Sequence, residues 1–214
     1  LTLEQVCNQR GLKADQVIRE METPAYLREA ELPLVSYPID LIIEYLKHSH
    51  FLFIKHKLPY IARLVESFKA NHSDYQSIER DLKIVFPLFA GDFIEHIYEE
   101  EDTLFTHIQA LERAAKGNYS PARLYYLLEN NSVQKFAMGH DAHDDEMLGI
   151  RNITKDYFLD DPSPLHIKVL YNELKGFERS LTTHARIEND ILFPKAMALE
   201  NKVKISFFER AKFN

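Results

Sequence analysis

Cysteine occurs once in the 214 residues, at Cys7. That excludes an intrachain disulfide framework and fits a reducing compartment, so a cytoplasmic protein is expected. Glycine and proline are scarce as well, 6 and 9 residues, as expected where helices dominate. No apolar run approaches the roughly 20 residues that a membrane helix requires. There is no basic cluster, and the net charge is −7, so neither nucleic acid nor an anionic membrane is an expected partner. No stretch alternates apolar and polar residues well enough to argue for a sheet. The chain begins at Leu1 rather than at a methionine, which leads us to expect a fragment or a trimmed product; no signal-peptide pattern is visible. What is present is an ordinary globular balance, 45 % hydrophobic and 28 % charged, with one unusual figure: 10 histidines.

Taken in order, residues 1–22 read as two short helices. Thr2 caps the first, Gly11 breaks the chain, and the second begins near Ala14. Residues 23–37, with Pro24 and Pro33, read as a linker ahead of Pro38. A long helix is expected from Asp40, with Leu41, Ile42, Tyr45 and Leu46 at helical spacing, kinked or divided at Pro59 and resuming through Phe68. A second is expected from about Tyr75 to Arg113, with Pro87 as a further kink, followed by a break at Gly117 to Pro121 and a short helix from Arg123 to Glu129. A third is expected over about Ser132 to Tyr157, and a fourth, after the turn around Pro162, from Leu165 to about Leu199. A separate short helix over 202–212 closes the chain. Four long helices joined by turns predict an all-α, up-and-down four-helix bundle over residues 38–214.

The pattern that carries chemistry occurs twice. His96-Ile97-Tyr98-Glu99-Glu100 runs on to Leu104-Phe105, and His184-Ala185-Arg186-Ile187-Glu188 runs on to Leu192-Phe193-Pro194, 88 residues later. Residues four apart share one face of a helix, so each imidazole and carboxylate can reach a common point off that face. One copy alone is far more often an ordinary exposed polar pair. Two copies at a fixed offset are harder to obtain by chance, and apolar neighbours (Phe93 and Ile97; Leu181 and Ile191) favour an inward face for both. Upstream, His50 and His140 stand 90 residues apart, so each half offers one histidine from one helix and a His/Glu pair from the next. Two alternatives stay open: His48 competes with His50, and His143 with His140. His72 has no partner in the second half. His56, His107 and His166 fit no pattern and are expected on the surface.

Imidazoles combined with two carboxylates suit iron, manganese or zinc rather than the all-oxygen shells of calcium and magnesium. Carboxylates shared by two ions hold them about 3.5–4 Å apart. Five histidines and two glutamates leave positions open on octahedral ions, where O2, NO or peroxide can bind.

These residues are the point at which a family resemblance enters. His96-x3-Glu100 with Leu104-Phe105, and His184-x3-Glu188 with Leu192-Phe193-Pro194, resemble the hemerythrin-like (HHE) di-iron domain, and more closely the RIC family, which repairs iron centres. The resemblance implies an oxo-bridged pair of non-haem irons held by five histidines and two glutamates, with manganese and zinc as alternative metals. It implies His50, His72, His96, His140 and His184 as ligands, with Glu100 and Glu188 bridging. His72, in Asn71-His72-Ser73-Asp74, falls where the family has an extra helix-end histidine. Residues 3–22 resemble the end of the family's small ScdA-type N-terminal domain. That domain usually carries a Cys-Cys pair just before this point, and Cys7 is not that pair. Counted back from Leu58-Pro59, the family's first-helix histidine falls on Phe51, so a helical offset or His48 must compensate. Gly139 stands where an acid often precedes the third-helix histidine, and Thr106 where a proline usually follows Leu-Phe.

The role this implies is repair of iron-sulfur clusters damaged by nitrosative or oxidative stress, through iron donation or the handling of NO or peroxide, with damaged iron-sulfur proteins as partners. The alternative is an O2- or NO-binding or sensing module without turnover. A third reading is a helical bundle whose metal site has decayed. The sequence leaves open whether the protein is an enzyme and whether it forms a homodimer.

Overall fold

The computed structural model describes residues 34–70, 73–140, 147–160 and 163–212. The chain divides into two compact units, Leu1–Pro33 and Leu34–Asn214. The expectations for residues 1–33 lie outside the described residues. Within the second unit every regular element described is helical. After a 3-10 turn at Leu34–Ser36, helix α1 comprises Ile39–Leu52, a π-helical turn at Phe53–Lys57, and Leu58–Ser67. Helix α2 comprises Ser73–Glu100, a π-helical turn at Glu101–Phe105, and Thr106–Ala115. The short helices α3 (Pro121–Asn130), α4 (Val133–His140) and α5 (Leu148–Thr154) follow. Helix α6 comprises Leu165–Ile187, a π-helical turn at Glu188–Leu192, and Phe193–Lys212. Among the described residues no helix is long and apolar enough to cross a membrane.

Burial of apolar stripes, rather than helix propensity, holds these elements together. One cluster gathers Phe53, Leu82, Phe86, Phe93 and Phe177, where the second half of α1 and the first parts of α2 and α6 meet. A second gathers Leu46, Leu104, Phe105, Leu192 and Phe193, where the first half of α1 meets the later parts of α2 and α6. The repeated Leu-Phe steps both belong to this second cluster. Leu104 and Phe105 are 2 % and 0 % exposed, and Leu192 and Phe193 are 0 % and 2 %. The repeat in sequence is therefore a repeat in packing.

The wide turns show how α1 passes Pro59. In a π turn the N–H bonds to the carbonyl five residues back, so one extra residue is absorbed. Leu58 N–H bonds to Phe53 O in α1, and Phe193 N–H bonds to Glu188 O in α6. The chain stays helical from 39 to 67, and Pro59 falls at the start of the segment after the wide turn. The missing amide of Pro59 is thus met by widening the preceding turn rather than by a break. Pro87 is likewise carried inside a continuous helix.

Two further ends differ from expectation. Of the third long helix the described parts are α4 and α5, with residues 141–146 outside the described residues. The second ends at Thr154, because Lys155, Asp156 and Tyr157 have φ of 51, 56 and 58°. L-residues in that left-handed region cannot continue a right-handed helix. The short terminal helix expected over 202–212 is instead the continuation of α6.

Candidate metal centre

Four side chains from three helices converge where the two apolar clusters meet. His50 comes from α1, Glu100 from α2, and His184 and Glu188 from α6; one donor atom from each lies within 4.8 Å of all the others. Nε2 of His50 is 3.0 Å from Nε2 of His184 and 3.5 Å from Oε2 of Glu100. Nε2 of His184 is 2.8 Å from Oε1 of Glu188. His50 and Glu188 are each 1 % exposed, and Glu100 is 7 % exposed. The His184 side chain is 10 % exposed.

The wide turns sit against these residues. The turn in α2 begins directly after Glu100, and the turn in α6 begins at Glu188. His50 lies one short stretch before the turn in α1. That turn sets which residue of the stretch 48–51 faces the interior. One extra residue between His50 and Leu58 is what a π turn absorbs, so His50 is buried while Phe51 is 52 % exposed. His48 is exposed on the other side of the helix, as residues two apart must be.

His50 is held on three sides. Its ring stacks on Phe105 at 5.7 Å between centroids and 4° between planes. Its Nδ1 is 2.8 Å from Oε1 of Glu101. Its other edge faces His184, whose ring in turn meets Phe53 edge-on at 5.6 Å. Burial, with the neighbouring His184 imidazole adding to it, lowers the pKa of His50 from 6.5 to about 3. The ring is neutral through the physiological range, which is the form a metal ligand needs. Burial raises the carboxyl of Glu101 above its ordinary value, with Asp102 and Glu44 adding to the effect and Lys47 opposing it.

Such a set can hold a metal ion. Two carboxylates brought together in a space shielded from water repel each other, and a cation between them turns that repulsion into attraction. Two imidazole nitrogens and carboxylate oxygens are the donors that iron, manganese and zinc accept.

The other expected ligands are placed as follows. His96 is half-buried and lines the cavity beside the four converging side chains, one turn before Glu100. His72 lies outside the described residues, as do the side chain of His140 and all of His143. Of the histidines expected on the surface, His56 and His166 are exposed, but His107 is 2 % exposed. His107 belongs to the buried face of α2 beyond the wide turn, with Nε2 3.8 Å from Oε1 of Glu200. His107 stands three residues after buried Leu104 and four before buried Leu111, a spacing that puts it on their face; it was missed because it belongs to neither copy of the repeated pattern. Glu101 was also missed, because the run Glu99-Glu100-Glu101-Asp102 has the composition of a solvated face.

A cavity of about 420 Å³ opens beside the converging residues. Its walls include Met147, Arg151, Glu178, Thr182, Arg186 and Asn189. Arg151 forms an ion pair with Glu178, and the Tyr157 hydroxyl donates to the other Glu178 oxygen at 2.7 Å. The cavity thus mixes apolar walls (Phe93, Ile97, Met147 and Leu181) with the imidazoles and carboxylates of the converging residues and the Arg151–Glu178 pair.

No protein-family model matches the chain. It is 20 % identical over 196 residues to a Yersinia pseudotuberculosis (serotype O:1b, strain IP 31758) protein named Iron-sulfur cluster repair protein YtfE; the match covers 92 % of this chain and 83 % of that protein. A protein of the same name from Yersinia pestis (strain Pestoides F) is 20 % identical over the same coverage. It is also 22 % identical over 201 residues to a Haemophilus influenzae protein named "Probable iron-sulfur cluster repair protein", covering 91 % of this chain and 82 % of that one.

Proposed function

We propose that this protein takes part in the repair of damaged iron-sulfur clusters, using two non-haem iron ions held inside an up-and-down, hemerythrin-like four-helix bundle. The observation that carries the reading is the convergence of His50, Glu100, His184 and Glu188 in a chain whose similar proteins bear the repair name. The proposed ligands are His50, His72, His96, His140 and His184, with Glu100 and Glu188 shared between the ions. Those names favour repair over an O2- or NO-binding module without turnover. The proposed compartment is the cytoplasm.

The residues divide the work. His50 presents a neutral nitrogen lone pair because burial disfavours its charged form. Glu100 and Glu188 supply the negative charge that retains a cation. Phe105 and Phe53 exclude water from the two imidazoles. The cavity gives a reactant access to the side lined by Arg151 and Glu178. Iron, when bound, supplies one-electron chemistry and open coordination positions. In this reading the damaged cluster protein is the partner, and NO or peroxide is the small ligand.

The test is reactivation of a cluster enzyme inactivated with NO. The iron-loaded protein should restore its activity, whereas the metal-free protein and Glu188→Ala should not. Equal recovery with all three, or with iron salt alone at the same concentration, contradicts the reading.

A further inference from the structure

The side chain that touches His50 from behind is Glu101, and the proposed ligand set does not use it. Its Oε1 is 2.8 Å from His50 Nδ1, on the ring edge opposite the atom that faces Glu100 and His184. Glu101 opens the wide turn of α2 and Phe105 closes it. The same five-residue turn therefore supplies a carboxylate to the edge of the His50 ring and an aromatic face to its plane. A hydrogen bond to Nδ1 keeps the proton on that nitrogen and leaves the Nε2 lone pair for the interior. Carboxylates in this position raise imidazole basicity and fix the ring's orientation.

The internal repeat does not repeat this acid. The offset of 88 residues that relates Glu100 to Glu188 and Phe105 to Phe193 relates Glu101 to Asn189. An amide stands where the first half has an acid. Asn189 lines the cavity, and an amide lacks the negative charge that would draw a ring proton and strengthen the opposite nitrogen as a donor.

We propose that Glu101 is a positioning residue that fixes the tautomer and orientation of His50 and makes the half of the centre containing His50 hold its metal more tightly than the other half. This rests on the metal-binding reading above. The centre then fills in order, and the looser ion is the one available for release.

The experiment is anaerobic titration of the metal-free protein with ferrous iron, followed by equilibrium metal content and by the nitrogen and proton resonances of histidine-labelled protein. For the unsubstituted protein the expected result is two steps of unequal affinity and a His50 Nδ1–H resonance at low field. Glu101→Ala should weaken the tighter step by about 10- to 100-fold, the usual effect of losing such a partner, and remove that resonance. Glu101→Gln keeps an acceptor oxygen and should retain the resonance with a smaller loss of affinity. Glu99→Gln removes a neighbouring charge from an exposed position and should change neither. A Glu101→Ala protein with both steps intact, or two equal steps in the unsubstituted protein, overturns the proposal while leaving the metal centre standing. No binding by the unsubstituted protein overturns the metal reading and this proposal together.

Discussion

Nε2 of His50 and Nε2 of His184 face each other across 3.0 Å, although 134 residues separate them in the chain. Two neutral nitrogens at that distance share one proton or one cation, and the carboxylates of Glu100 and Glu188 beside them favour the cation. The contact also ties α1 to α6 at the level of their wide turns. Binding at this point should stabilise the fold as well as serve the chemistry.

That coupling gives the first prediction. His50→Ala should lower metal content and, in metal-loaded protein, the melting temperature. His48→Ala, two residues away on the exposed side, should change neither. A ligand present at about 100 times its Kd adds about 2.7 kcal/mol, which for a protein of this size corresponds to a shift of roughly 5–10 °C. Calorimetry with and without iron checks it, and equal effects from the two substitutions would place the ligand elsewhere.

The acid dependence of the metal-free protein follows from His50. Its folded pKa is about 3 against an ordinary 6.5, so between those values the unfolded chain binds the proton and the folded chain does not. Its contribution is therefore fully present above pH 6.5 and is lost as the pH falls toward 3. Urea unfolding at pH 6.5 and pH 5 should show a loss of up to about 2 kcal/mol for this group, and the loss should be smaller in His50→Gln. Glu101, whose carboxyl is raised, acts in the opposite direction near its own titration, so the comparison between the two proteins isolates His50. Identical slopes would show that His50 is not the buried neutral group described.

The wide turn in α1 predicts a register effect. Deleting exposed Lys55 removes the extra residue, so the turn should close to an ordinary one with His50 at the same angle to Leu58. Metal content should be retained. Exchanging the two side chains by His50→Phe with Phe51→His moves the imidazole about 100° around the helix and should abolish binding. Loss of metal on deletion of Lys55 with the helical signal intact, or binding retained after the exchange, would contradict this account of the turn.

Much of the fold was legible because its signals are local. Apolar positions at helical spacing, Pro121 at the start of α3 and the turn before Leu165 mark the helices without reference to one another. The all-helical class follows from them. The wide turns were not legible, since a single extra residue leaves no mark in composition and little in periodicity. His107, which the structure buries beside Glu200, was missed for another reason: it belongs to neither copy of the repeated pattern, although its spacing from Leu104 and Leu111 marks an inward face. The converging four were visible through their spacing and repeat. Glu101 was not, because only a contact between α1 and α2 separates it from the exposed acids on either side. The end of α5 depends on three successive left-handed residues, none of them glycine, for which the sequence offers no cue.

The most direct test of the account is the metal content of the protein after anaerobic iron loading and removal of excess, measured alongside Glu100→Ala and Glu188→Ala. The account predicts about two iron ions per chain in the unsubstituted protein, as in di-iron bundles, and a clear loss of iron in each variant with the helical signal retained. Iron retained at the same level in both variants, or no iron in the unsubstituted protein, would contradict it.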